Sequence, residues 1–123
     1  MKRRVLVVDD ERLVADTLGM IFQKRGFDCR VSYTGEEAVA CSELFGPELL
    51  LCDISMPGMG GLEVALKVTA QFPECRVLLL TGHYTTLRSA RKWARTHSAA
   101  SRVLTKPVLP ALLLEEADEL FLQ

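Results

Sequence analysis

The chain has 123 residues, enough for one domain that buries roughly two-thirds of the surface its unfolded form exposes. With 49% hydrophobic residues, 25% charged residues and a net charge of −1, it has the composition of a globular protein and no excess of positive charge for direct binding to nucleic acid or an anionic membrane. No apolar run is long enough to cross a membrane, and the run at residues 5–8 is too short for a signal peptide, so we expect a cytoplasmic protein.

The four cysteines do not form a pattern that binds metal or suggests a disulfide framework. They are Cys29, Cys41, Cys52 and Cys75. Their spacing contains no CxxC pair, and each lies within or beside an apolar segment. We interpret them as small core residues in a reducing compartment.

The first strand and helix are predicted near the N-terminus. Residues 5–8 are apolar without alternation, as in a strand covered on both faces. The segment that follows has four apolar residues at helical spacing, Val14, Leu18, Ile21 and Phe22. Gly26 stands where this helix should end.

The same alternation continues to the C-terminus. Further strands are predicted at residues 29–33, 49–52, 76–80 and 102–104. The second helix begins after Thr34, whose hydroxyl forms a capping box with Glu37, and runs to Leu44 before Gly46 and Pro47. The remaining helices are predicted at residues 62–71, before Pro73, at 86–97, and at 110–122, with Pro110 as the first residue.

Five strand–helix units in succession predict one α/β domain over residues 1–123, with no output domain in this chain. Buried strands that alternate with helices form a parallel, doubly wound sheet with helices on both faces, a (βα)5 arrangement. Binding sites in such sheets form at the carboxyl ends of the strands. The polar residues that follow the strands are therefore the candidates for a functional site.

Carboxylates, a hydroxyl and an ammonium group stand at those ends. Asp9 and Asp10 follow the first strand, Asp53 the third, Thr81 the fourth and Lys106 the fifth. Repulsion among the carboxylates should raise one pKa, and a Mg²⁺ or Mn²⁺ ion would remove the repulsion. The ammonium can pair with the charge of a phosphoryl group, and the hydroxyl can donate a hydrogen bond to one of its oxygens. A carboxylate can act as the nucleophile that accepts this group and forms an aspartyl phosphate. The set therefore favours phosphoryl transfer.

The motifs Asp9-Asp10, Asp53 in DISMPG, Thr81-Gly82 and Lys106-Pro107 together resemble the receiver domain of two-component response regulators. The resemblance covers essentially the whole chain, in order and at nearly the family's spacing. It implies the flavodoxin-like receiver fold with five parallel strands in the order 2-1-3-4-5. It also implies a phosphoacceptor signalling domain of a phosphorelay, with only self-catalysed phosphotransfer and slow autodephosphorylation, rather than a true enzyme.

By this resemblance each site residue has an expected role. Asp53 accepts a phosphoryl group from the phosphohistidine of a sensor histidine kinase or a phosphotransfer protein. Asp10 binds Mg²⁺ directly, Asp9 mainly through water, and the backbone carbonyl of Ser55 completes the protein ligands. Lys106 pairs with the phosphoryl group.

The resemblance also assigns the switch. Thr81 moves toward the phosphoryl group as the switch hydroxyl, and the Lys106–Pro107 bond is a candidate for the cis conformation. Ser55 and His83 border the path of an attacking water molecule.

The sequence departs from the family on the output side. Val103 replaces the aromatic residue that reports phosphorylation, and its β-branched side chain is stiff. The stretch from Thr81 to Lys106 is also longer than expected, with the extra residues placed within 94–101. We expect the fourth helix, fifth strand and fifth helix to bind an output partner or a second copy.

Features of two helices on this side suit a partner surface. A basic stripe on the fourth helix comprises Arg88, Arg91, Lys92 and Arg95. It is either a solvated face or a docking surface for an acidic partner. On the last helix, Leu112, Leu113 and Leu114 exceed what one core face needs, so part of this run should be exposed.

Several other functions stay open at this point. A magnesium-dependent phosphatase with an aspartyl phosphate intermediate would carry an acid where Ser55 stands. A flavodoxin-like flavin binder would need a phosphate loop where the chain has Asp9, Asp10 and Glu11. A receiver portion of a longer DNA-binding regulator and a degenerate receiver used only for contacts are the remaining alternatives. The capping of the first helix is the ordinary role for Asp10 or Glu11.

Overall fold

The computed structural model describes residues 1–82, 84–97 and 100–122, without the side chains of residues 84 and 85. Five parallel strands form one sheet with the order β2-β1-β3-β4-β5. They are β1 (Arg4–Val8), β2 (Asp28–Ser32), β3 (Leu49–Asp53), β4 (Arg76–Thr81) and β5 (Ser101–Thr105). The predicted (βα)5 fold and its strand order are confirmed, and every strand bound lies within one residue of the predicted one.

Helices connect the strands and close the chain. They are α1 (Arg12–Lys24), α2 (Gly35–Phe45), α3 (Gly61–Gln71), α4 (Tyr84–Thr96) and α5 (Pro110–Phe121). The described part of α4 starts two residues before the predicted start and has thirteen residues, as many as α1. Residues 98 and 99, within the segment expected to hold the extra residues, lie outside the described part of the chain.

Local sequence signals set several helix ends. The Thr34 hydroxyl accepts a hydrogen bond of 3.1 Å from the Glu37 N–H, which forms one half of the predicted capping box. Gly46 ends α2 with a φ of +61°, a left-handed conformation that glycine adopts without steric cost. Pro110 stands in the first turn of α5 as expected.

The helices α2, α3 and α4 cover one face of the sheet and enclose an apolar cluster, called here the α4-side cluster. The strands contribute Leu6, Val8, Leu50, Cys52, Val77 and Leu79, and the helices contribute Ala38, Val64, Ala65, Val68, Ala90 and Trp93. Val103 of β5 packs against this cluster from a half-buried position. This face therefore places Trp93, the single tryptophan of the chain, in the same cluster as Val103.

The helices α1 and α5 cover the other face and enclose the α5-side cluster. The main contributors are Val5, Val7, Leu49, Leu51, Leu78, Leu80, Phe22, Leu113, Leu114, Ala117 and Leu120. Because successive side chains of a strand point to opposite faces, the central strands β1, β3 and β4 supply both clusters with alternate residues. In the predicted apolar run of α5, Leu113 is fully buried, whereas Leu112 is 43% exposed.

The cysteines serve the core, as predicted. All four are free thiols; Cys29, Cys52 and Cys75 are buried and Cys41 is half-buried. Burial raises the pKa of the Cys75 thiol to about 12, so this thiol is protonated and unreactive near neutral pH. Across residues 1–82, 84–97 and 100–122, no helix combines the length and the apolar character needed to cross a membrane.

The loop between β3 and α3 folds back against the end of β3. The Gly61 N–H donates a hydrogen bond of 3.0 Å to the Ile54 carbonyl. A Cβ on Gly61 would overlap the Asp53 carbonyl oxygen and lie 2.8 Å from the Ile54 Cα, so only glycine fits. This close approach fixes the backbone on either side of Asp53.

We expect Gly61→Ala to lower the free energy of unfolding by about 1–3 kcal/mol, because backbone atoms cannot move aside as the end of a flexible side chain can. Urea denaturation monitored by circular dichroism measures the change. Gly82→Ala is the matched control, since its Cβ would make ordinary contacts of 3.8 and 3.9 Å with the Lys106 side chain. Equal stability of the two variants would contradict the close-packing argument.

Candidate functional site

The carboxyl ends of the strands bring the predicted site residues together. Asp9 directly follows β1, Asp53 ends β3, Thr81 ends β4 and Lys106 follows β5. Backbone hydrogen bonds join these ends: the Lys106 N–H donates to the Thr81 carbonyl at 2.8 Å, and the Ile54 N–H donates to the Leu80 carbonyl at 2.9 Å. The sheet therefore holds the four side chains at one edge, next to the topological switch point between β1 and β3, where the strand order reverses.

The Lys106 ammonium bridges two buried carboxylates. Its Nζ lies 3.1 Å from Asp9 Oδ2 and 3.4 Å from Asp53 Oδ1. Asp9 is 1% exposed and Asp53 is 5% exposed, so the two negative charges are largely removed from water. Buried charges need this kind of partner, because the loss of hydration is costly without one.

Asp9 also fixes the start of α1. Its Oδ1 accepts a hydrogen bond of 3.0 Å from the Glu11 N–H. The N-cap of α1 is Glu11, which makes no side-chain capping bond; Asp9 instead accepts a hydrogen bond from the N–H of this cap residue. Both oxygens of Asp9 are thus engaged, while Asp10 is exposed.

The pKa shifts follow from this arrangement. Burial raises the pKa of the Asp53 carboxyl; the Lys106 ammonium opposes the shift, and the charges of Asp9 and Asp10 add to it. For Lys106, burial alone would lower the pKa, but the hydrogen bond that its ammonium donates to Asp9 and the negative charge of Asp53 outweigh burial and raise the pKa. The expected rise of one carboxyl pKa occurs at Asp53, and its main cause is burial rather than repulsion.

Thr81 is buried at the end of β4, with 1% of its surface exposed. Its hydroxyl shares a hydrogen bond with the hydroxyl of Thr86, in which either oxygen can be the donor. Thr86 belongs to the first turn of α4 and is half-buried. The predicted switch hydroxyl is therefore linked directly to α4.

The acidic residues fit a divalent cation. Asp9, Asp10 and Asp53 each offer a carboxylate oxygen, and these three oxygens lie within 4.8 Å of one another. Three carboxylates and one ammonium leave two net negative charges in a partly buried crevice. Hard oxygen donors with this charge suit Mg²⁺ or Mn²⁺.

The remaining predicted residues lie around this group. Ser55 is half-buried in the loop after β3, and the role of its carbonyl as a metal ligand stays a prediction. The Lys106–Pro107 peptide bond is cis. Val103 lies in the middle of β5, and His83 lies outside the described residues.

A model of the response regulator receiver domain family matches residues 5–118. The chain belongs to this family. Receiver domains are in general phosphoacceptor switches rather than true enzymes, and they bind Mg²⁺ through an acidic pocket. In this receiver domain, Asp9, Asp10 and Asp53 form an acidic group at the strand ends.

Solved structures of similar proteins agree with this assignment. A CheY-like receiver domain protein from Methanospirillum hungatei is 28% identical, with 97% of this chain and 93% of that one covered and a TM-score of 0.87. A two-component transcriptional regulator from Clostridium phytofermentans is 25% identical, with coverage of 98% and 94% and a TM-score of 0.86. The chemotaxis protein CheY4 of Vibrio cholerae, 24% identical over 98% of this chain and 99% of its own, has a TM-score of 0.86 and supports the fold.

Two contacts of this receiver domain were not predicted from the sequence. The hydrogen bond that the Asp9 carboxylate accepts from the Glu11 N–H has a local signal, because an aspartate side chain often accepts from the N–H two residues further along the chain. The hydrogen bond between Thr81 and Thr86 has no such signal, since it forms between the end of a strand and the first turn of the next helix.

We expect Asp53→Asn to raise the stability of the metal-free receiver by about 1 kcal/mol at pH 7. The raised pKa means that ionised Asp53 destabilises the fold at pH values above that pKa, and asparagine removes the charge. The gain should shrink as the pH falls from the raised pKa towards the ordinary value of 3.8, where the parent carboxyl is neutral as well.

Urea denaturation in EDTA at a series of pH values measures this difference. Glu43→Gln removes the same charge from an exposed position of α2 and should leave the stability nearly unchanged. If Asp53→Asn is instead less stable than the parent at pH 7, the attraction of Lys106 for the Asp53 carboxylate outweighs the cost of burying its charge.

Proposed function

We propose that Asp53 is the phosphoacceptor of a two-component phosphorelay. The observation that carries the proposal is the Lys106 ammonium between Asp53 and Asp9 at the carboxyl edge of the sheet. A phosphoryl group on Asp53 would add negative charge next to Lys106, which is already within reach of it. Phosphoryl transfer depends mainly on such positioning and charge neutralisation.

The side chains have distinct parts in the transfer. An oxygen of Asp53 forms a new bond to phosphorus while the N–P bond of a phosphohistidine breaks, and the departing imidazole takes up a proton. Lys106 balances charge on the transferred oxygens. The Thr81 hydroxyl donates a hydrogen bond to one of them once it has moved toward Asp53.

Asp10 and Asp53 would hold a Mg²⁺ or Mn²⁺ ion directly. Asp9 would act mainly through water, because its own oxygens are engaged with Lys106 and the Glu11 N–H. The Ser55 carbonyl would complete the protein ligands. When bound, the cation neutralises carboxylate and phosphoryl oxygens and so lowers the electrostatic barrier to transfer.

The partner that donates the phosphoryl group would be a sensor histidine kinase or a phosphotransfer protein in the cytoplasm. The face formed by α4, β5 and α5 would bind an output partner or a second copy. The basic stripe on α4 supports this part of the proposal because Arg88, Arg91, Lys92 and Arg95 are all exposed. Leu112, exposed on α5, adds an apolar contact point.

We expect incubation with acetyl phosphate and Mg²⁺ to add one phosphoryl group to Asp53, detected by intact mass and located by peptide mapping. Asp53→Asn should abolish the modification, and EDTA should prevent it. Asp16→Asn, which changes an exposed acid on α1, is the control and should be modified like the parent. A parent protein that neither gains mass with acetyl phosphate nor changes its NMR spectrum with beryllofluoride would refute the assignment of Asp53.

We also expect Asp10→Asn to weaken the binding of Mn²⁺ by about tenfold or more, because it removes a charged ligand from a small donor set. Paramagnetic broadening of amide signals near Asp10 and Asp53 measures the affinity without any phosphoryl transfer. Asp16→Asn again serves as the control. Unchanged broadening in Asp10→Asn would place the metal elsewhere.

A further inference from the structure

The geometry points to Thr86 as a positioning residue that holds the Thr81 hydroxyl in the unphosphorylated receiver and connects it to α4. This inference rests on the proposed function of Asp53 as phosphoacceptor. The observation behind it is the hydrogen bond between the two hydroxyls, which spans the loop between β4 and α4. Thr86 would thus set both the affinity of the site for a phosphoryl group and the route by which the signal leaves it.

A phosphoryl group on Asp53 would compete with Thr86 for the Thr81 hydroxyl. A threonine hydroxyl has one proton, so it can donate only one hydrogen bond at a time. Where Thr81 donates to Thr86, its hydroxyl must give up this hydrogen bond before it can donate one to the phosphoryl group. Where Thr86 donates, the movement of Thr81 toward Asp53 pulls its oxygen out of the hydrogen bond, because the β-branched side chain changes direction only by a step between rotamers.

The release of Thr86 would act on the first turn of α4. Farther along this helix, Ala90 is fully buried and Trp93 is 7% exposed within the α4-side cluster. The Trp93 indole Nε1 is buried, with no hydrogen-bond partner among the described residues. The Trp93 side chain therefore contacts the α4-side cluster without a hydrogen bond from its indole N–H. A shift of α4 would break no hydrogen bond at this side chain.

Val103 cannot supply the same connection. Its side chain has neither a hydroxyl to bond Thr81 nor a ring to turn inward, and it packs against the cluster that contains Trp93. Thr86 instead joins Thr81 to the helix that carries the exposed basic stripe. The phosphorylation signal thus reaches α4 through its first turn rather than through β5.

The test measures the affinity for beryllofluoride, a phosphoryl mimic, in the full chain with Mg²⁺ present. We expect Thr86→Val to bind beryllofluoride about fivefold more tightly than the parent, because the free protein loses one ordinary hydrogen bond that the bound protein no longer makes. Thr86→Ser keeps the hydroxyl and should restore the parent affinity. The emission of Trp93 in free Thr86→Val should shift toward that of the beryllofluoride complex.

A double-mutant cycle separates this role from a general effect on folding. In a Thr81→Val background, Thr86→Val should leave the affinity for beryllofluoride unchanged, because the bond is already absent. The inference would be overturned if Thr86→Val raised the affinity for beryllofluoride equally in both backgrounds, or did not raise it in the parent background. In either case the parent would still bind beryllofluoride, so the proposed role of Asp53 would stand. No binding by the parent would overturn the proposed function and this inference with it. Should Thr86→Val not fold, Thr86→Ala provides the same comparison.

Discussion

The ion pairs of Lys106 with Asp9 and Asp53 are the interaction on which the arrangement of the site depends. They join groups that follow the first, third and fifth strands, residues that are distant in the sequence and adjacent only after the sheet has formed. Removing Lys106 would leave the buried carboxylates of Asp9 and Asp53 without a countercharge, so this one ammonium serves both of them. The same ammonium stabilises the folded crevice and lies where a phosphoryl group would arrive.

The sequence predicted most of the fold because the central strands are apolar on both faces and alternate with helical periodicity. All five residues of β3 are buried, which is the condition that an unbroken apolar run indicates. The bounds of β2 and β5 differ at both ends from the predicted ranges 29–33 and 102–104, because these edge strands are only partly buried. The site residues could be predicted together because parallel strands direct their carboxyl ends to the same edge of a sheet.

The details that the sequence could not predict depend on side-chain direction. The exposed Asp10 and the buried Asp9 are neighbours in the chain, and their different surroundings depend on the direction in which each side chain points after the end of β1. Likewise, burial rather than repulsion is the main cause of the raised pKa of Asp53, a balance that depends on the depth of the crevice. Thr86 is the first residue of a predicted helix, and only the placement of the first turn of α4 beside the end of β4 brings it to Thr81.

The division of the core into two clusters has a consequence for how such a domain can diversify. The sheet separates Trp93 and Val103 on one face from Phe22 and Leu113 on the other. Substitutions that remodel the packing beneath α4 therefore leave the residues that anchor α1 and α5 in place. The two faces can therefore be repacked independently, so the packing around Val103 can change while the residues beneath α1 and α5 keep their places.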